Sequence, residues 1–110
     1  MGQATALALA ERGAKVAIAG RRMEMLEETA KKYGNGNEIH CKDADVTNRE
    51  SLEDLFQWFD QSMGKLDFLI HAAGINVAMR SMQELDPKDW DRLIDINLTG
   101  SYNVLRLALN

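Results

Sequence analysis

The chain has 110 residues, 45% of them hydrophobic and 27% charged, which describes one small domain with a packed core and not a disordered tail. Its net charge of −4 argues against a nucleic-acid or anionic-membrane surface, where a basic face is needed. No apolar run approaches the roughly 20 residues that cross a bilayer, and the single cysteine, Cys41, rules out an internal disulfide. Met1 is followed by neither a charged leader nor a cleavage pattern, so a cytoplasmic protein is expected.

In chain order, residues 3–12 are rich in Ala and Leu and form the first expected helix, closed by Gly13. Val16-Ala17-Ile18-Ala19 is a short apolar run, expected as a strand buried on both faces. Residues 23–33 turn helical again, with Met23, Leu26, Ala30 and Tyr33 on one face and Gly34 at the end. A weaker strand runs from Glu38 to Lys42. Thr47 and Glu50 read as a capping box opening a helix whose apolar stripe is Leu52, Leu55, Phe56, Phe59 and Met63, with Gly64 as its stop. Phe68 to Ala73 is the next expected buried strand, followed by a polar loop through about Leu85. Asp86 and Pro87 open a last helix as N-cap and first-turn proline, with Trp90, Leu93, Ile94, Leu98 and Leu105 on its buried face. Helix and strand alternate throughout, which implies βαβ units and a parallel sheet.

Several residues could carry chemistry. Gly2 opens the first helix, where a glycine turn would let main-chain amides hold a pyrophosphate; a glycine after Met1 is also common in any protein. About 20 residues further on, a dinucleotide site reads the ribose. Here Gly20-Arg21-Arg22 offers two guanidiniums that can pair with a 2′-phosphate and no carboxylate to repel it. Two solvated arginines are the plainer alternative. Asp45, in Asp43-Ala44-Asp45-Val46-Thr47, could accept from an adenine amino group or be one of several acidic loop residues. His71-Ala72-Ala73-Gly74 ends the third extended stretch of this chain; its small residues suit close approach of a cofactor or a tight turn. His71 reads as a hydrogen-bonded core histidine. Asn97 lies on or near the buried face of the last helix, either as a bonded core amide or as a functional group. His40, Cys41 and His71 lack zinc-site spacing, so no metal is expected.

Taken together, these pieces resemble the short-chain dehydrogenase/reductase family, collinearly over essentially the whole chain. Gly2-Gln3-Ala4-Thr5-Ala6-Leu7-Ala8 is similar to the end of the family's Thr-Gly-x-x-x-Gly-x-Gly turn and the helix after it. Gly20-Arg21-Arg22 resembles the NADP-preferring end of the second strand, Asp45-Val46-Thr47 the adenine-contacting Asp-Val motif, and Asp95 to Gly100 the Asn-containing helix. His71-Ala72-Ala73-Gly74 resembles the Asn-Asn-Ala-Gly motif with His and Ala in place of the two asparagines.

The resemblance implies an α/β chain over 1–110: a partial Rossmann fold, a parallel sheet flanked by helices, without the family's first strand and catalytic C-terminal half. It implies an NADP(H)-dependent oxidoreductase moving hydride between nicotinamide and a carbonyl or alcohol carbon; NAD(H) stays open. It makes Gly2, Arg21, Arg22, Asp45, Val46, Ala72, Ala73 and Gly74 cofactor-binding residues. In the family a Tyr supplies the proton, a Lys lowers its pKa, a Ser orients the substrate, and an Asn helps hold a water joined to the Lys. Of these catalytic residues only the Asn is present, at Asn97. The chain is therefore expected to be inactive alone, within a protein that acts on a small carbonyl or alcohol substrate as a homo-oligomer, with neither nucleic-acid nor membrane partners. A non-catalytic nucleotide-binding or subunit-interaction module on the same fold is the alternative, distinguished by the lack of a downstream Tyr-x-x-x-Lys.

Overall fold

A computed structural model describes residues 1–34 and 38–110. Helix α1 (Gly2–Glu11) is closed at Gly13, whose φ of 87° suits a residue without a Cβ. Strand β1 (Val16–Gly20) pairs in parallel with β2 (Ile39–Asp43), Val16 opposite Ile39 and Gly20 opposite Asp43. Helix α2 (Met23–Lys31) makes the crossover between them. The ladder runs one bond further, with the Ala44 amide donating to the Gly20 carbonyl at 2.8 Å.

Alternation along the strands divides their side chains. Val16, Ile18, Ile39 and Cys41 meet Ala6, Ala10 and Leu7 of α1 and Ala30 of α2 in one core cluster. Alanines on the helices allow close approach to the sheet. The opposite face of β1 is less covered than expected: Ala17 is half-buried and Ala19 exposed, so this strand is buried on one face.

A second core forms around Leu52, 1% exposed, with Ala44 and Val104. Leu52 belongs to α3 (Arg49–Ser62), whose N-cap is Asn48 and not Thr47. Asn48 Oδ1 accepts from the Ser51 amide at 3.1 Å, whereas the Thr47 hydroxyl donates instead to Asp45 Oδ1 at 2.8 Å. The capping box is thus displaced because Thr47 is engaged upstream. At the other end of α3, Lys15 Nζ donates to the carbonyls of Ser62 and Met63 at 3.3 and 3.5 Å, placing a cation against the negative end of the helix.

The expected buried strand at Phe68 to Ala73 is corrected. The stretch is extended, but residues 64–77 have no ladder, and Phe68 and Ile70 are 85% and 57% exposed. Leu69 and His71 point the other way and are half-buried, Leu69 against the second core. The period-2 pattern of a strand is present, but no described backbone lies alongside to complete its hydrogen bonds.

The last helix is also revised. It runs as α4 (Pro87–Leu93), a π-turn (Ile94–Thr99) and α5 (Gly100–Ala108). Asp86 caps it as expected, accepting from the Lys88 amide at 2.8 Å. Its assigned buried face is largely open: Trp90, Leu98 and Leu105 are 50%, 64% and 48% exposed. Contact with the core is made instead by Gly100, Asn103 and Val104, on the face turned toward α3. Among the described residues no helix is long and apolar enough to cross a membrane.

Candidate functional site

Parallel pairing brings the C-terminal ends of β1 and β2 to one edge. Arg21 and Arg22 leave β1 there and are both exposed, Arg22 as the extended N-cap residue of α2. Neither is in an ion pair among the described residues. Asp45 leaves β2 at the same edge. Its Oδ1 accepts from the Thr47 amide at 2.9 Å and from the Thr47 hydroxyl at 2.8 Å. These two bonds, the amide first, hold the Asp45 carboxyl below its usual pKa, with the Arg21 charge adding to them and partial burial opposing. Asp45 is therefore a carboxylate at neutral pH, with Arg21 close enough for its charge to be felt.

The glycine-and-alanine stretch lies against the start of α1. A Cβ placed on Gly2 would sit 3.3 Å from Ala72 Cβ, and one on Gly74 would sit 3.3 Å from Asn97 Oδ1. Ala72, Ala73 and Gly74 are all exposed, so they form a small-residue wall open to solvent. Asn97 is exposed too, which corrects its placement on a buried face. Its amide has partners nonetheless: Oδ1 accepts from the Ile75 amide and Nδ2 donates to the Ile75 carbonyl, each at 2.9 Å. This reciprocal pair ties the π-turn to the end of the extended stretch.

Val46 closes the circuit. Gly100, at the junction of π-turn and α5, packs so tightly on it that an added Cβ would lie 2.7 Å from Val46 Cγ2. Asn103, 2% exposed, donates to the Val46 carbonyl at 3.0 Å and accepts from Arg49 Nε at 3.1 Å. The loop carrying Asp45 and the helix carrying Asn97 are therefore one packed unit. Sequence reasoning missed Gly100, Asn103 and the π-turn; a glycine inside a helical pattern, three residues after an asparagine, was the available signal.

A match to the family model described as short chain dehydrogenase covers residues 1–110. The chain belongs to the short chain dehydrogenase family. An uncharacterized oxidoreductase of Staphylococcus aureus (strain MW2) is 33% identical over 109 residues, covering 99% of this chain and 46% of the relative. Among solved structures, a 3-ketoacyl-ACP reductase from Sinorhizobium meliloti 1021 superposes with a TM-score of 0.88 at 34% identity, over 98% of this chain and 43% of that one. An alcohol dehydrogenase from the archaeon Thermococcus sibiricus, complexed with 5-hydroxy-NADP, gives 0.88 at 29% identity, over 98% and 46%. The chain thus spans about half the length of the relatives it matches. The Rossmann-like α/β fold of this short chain dehydrogenase is a partial one, with β1 and β2 as its parallel pair.

The Cys41 thiol is half-buried, and burial together with the Glu27 charge raises its pKa, so it stays protonated at neutral pH. Among the described residues no group of three or more His, Cys, Asp and Glu is placed to hold a metal ion.

Proposed function

We propose that residues 1–110 are the nucleotide-binding half of an NADP(H)-dependent short chain dehydrogenase. The observation that carries the reading is the pair of exposed guanidiniums, Arg21 and Arg22, at the sheet edge that also holds Asp45. Guanidiniums form bidentate, charge-assisted bonds with a phosphate, and Gly20-Arg21-Arg22 itself carries no carboxylate to repel it. The residues fit such a cofactor: Gly2 and the Ala72-Ala73-Gly74 wall leave the room that a Cβ at Gly2 or Gly74 would take. Asp45, charged and with Oδ1 committed to Thr47, keeps Oδ2 to accept from an adenine amino group, and Val46 backs it. When bound, the nicotinamide exchanges hydride with a carbonyl or alcohol carbon. The part of this chain is to bind and orient. The α1 amides would hold the pyrophosphate and the arginines the 2′-phosphate, while the Asn97 amide fixes the Gly74-Ile75 end of the wall.

In the same reading the substrate is a small carbonyl or alcohol compound, and the proton-donating Tyr and its Lys come from outside these 110 residues. The solved alcohol dehydrogenase relative with its NADP analogue supports the cofactor choice by similarity. Exposed Trp90, Leu98, Tyr102 and Leu109 along the last helix support a self-associating protein, since apolar stripes of this kind are usually covered.

The test is nucleotide discrimination in the whole protein. Arg21→Ala should weaken NADPH binding by on the order of ten-fold or more, the scale of one lost charge-assisted contact, and leave NADH nearly unchanged. Equal losses for both nucleotides would refute the assignment.

A further inference from the structure

His71 stands where the family pattern has an asparagine, and its ring reaches the last helix. His71 Nε2 lies 3.0 Å from Ser101 Oγ, and Ser101 Oγ lies 2.6 Å from the main-chain oxygen of Asn97. A hydroxyl has one proton, and a carbonyl oxygen only accepts. Ser101 therefore donates to Asn97 and must accept from His71, so Nε2 carries a proton. The line has one direction: His71 N–H to Ser101 O–H to Asn97 C=O.

This gives Asn97 a second tie to the same extended stretch. Its side chain is held by the Ile75 backbone at 2.9 Å on both sides, and its main chain is held through Ser101 by His71. Residues 71 and 75 on the extended stretch thus meet residues 97 and 101, one turn apart on the helix. The Ile75 pair holds the side-chain amide but makes no bond to the Asn97 main-chain carbonyl. Two ties, one to each polar group, fix its orientation. They do so where the π-turn interrupts the regular i→i−4 ladder.

We propose that His71 and Ser101 are positioning residues for Asn97, setting the direction of its main-chain carbonyl while Ile75 sets its amide. The proposal rests on the reading of Asn97 as part of the active site. Removing the line leaves nucleotide binding intact and misplaces one group at the chemistry, where small displacements cost rate.

Steady-state kinetics of the whole protein test this. Ser101→Ala should lower kcat on the order of ten-fold with the nucleotide KM unchanged, and Ser101→Thr, which keeps a hydroxyl, should restore it. His71→Phe, which keeps a ring and loses the donor, gives the same comparison independently should Ser101→Ala not fold. The double variant should be no slower than either single, because both remove one line. Asn97→Ala separates the two levels. If it leaves kcat unchanged, the reading of Asn97 falls and the proposal with it. If it lowers kcat while Ser101→Ala and His71→Phe do not, or if Thr fails to rescue or the two losses multiply, the positioning role alone is overturned.

Discussion

Asp45 shows how one side chain is prepared by its neighbours. The Thr47 amide and hydroxyl both bond its Oδ1, and Arg21 adds attraction. A carboxyl whose pKa is depressed on folding adds stability at pH values above its unfolded pKa, about 3.9, and that stability is lost as pH falls through the folded value. Thr47→Val removes one of the two bonds. It should raise the Asp45 pKa toward the ordinary range and reduce stability at neutral pH, with the difference from the parent vanishing in acid below the folded pKa. An NMR titration of the Asp45 carboxyl reads the shift, and an unchanged value would show that the hydroxyl bond is not holding the charge. Asp45 was singled out in the sequence from its place after the strand, and the structure puts it at the same end of the sheet as Arg21. Its partner was not singled out, because Thr47 reads equally well as a helix cap, and only the three-dimensional turn decides which acceptor the hydroxyl serves.

Among elements, the junction of π-turn and α5 is where packing overrides propensity. Alanine is favoured over glycine inside a helix by up to about 1 kcal/mol, and Gly100 has ordinary helical angles, φ −59° and ψ −42°. Yet a Cβ there would meet Val46 Cγ2 at 2.7 Å and Val46 Cβ at 3.1 Å. Overpacking of this kind costs about 1–3 kcal/mol and should exceed the helical gain. Gly100→Ala is expected to lower the urea midpoint of the whole protein, and Val46→Ala in that background to recover part of the loss. A raised midpoint would mean that the loop gives way freely and that the two elements are not locked together. The helices themselves were legible because apolar stripes and stop glycines are local signals: Gly13, Gly34 and Gly64 all have positive φ. The π-turn was not, since the apolar spacing of residues 90–105 continues through it without a break. The strand at 68–73 was misread for a related reason. Its composition is local, but a ladder needs a neighbour, and alternation of Leu69 and His71 inward with Phe68 and Ile70 outward is all that the chain can fix by itself.

At the scale of the molecule, one small core sits on the two-stranded sheet, a second joins α3, α5 and the Ala44–Val46 turn beyond it, and large apolar side chains remain in water. Phe68 is 85% exposed, Ile70 57%, Leu98 64% and Leu109 86%. Each such side chain forgoes half or more of the roughly 1.5–3 kcal/mol that full burial contributes, against the 5–15 kcal/mol typical of whole domains. The family was readable because the segments around Gly2, Arg21, Asp45, Gly74 and Asn97 resemble its motifs in the family's order, and the family match covers residues 1–110. How those residues hold one another, through Ile75, Ser101, Gly100 and Asn103, emerged only once the elements were packed. The most direct measurement is made on the purified 110-residue polypeptide: a thermal melt followed by circular dichroism, together with an NADPH-consumption assay on a panel of ketones. On the proposed reading, these 110 residues, with exposed apolar faces and no Tyr-x-x-x-Lys, should show a broad, weakly cooperative transition or association, and no ketone-dependent oxidation of NADPH. A sharp cooperative transition together with NADPH-dependent ketone reduction would contradict the assignment, because these residues would then form a complete enzyme.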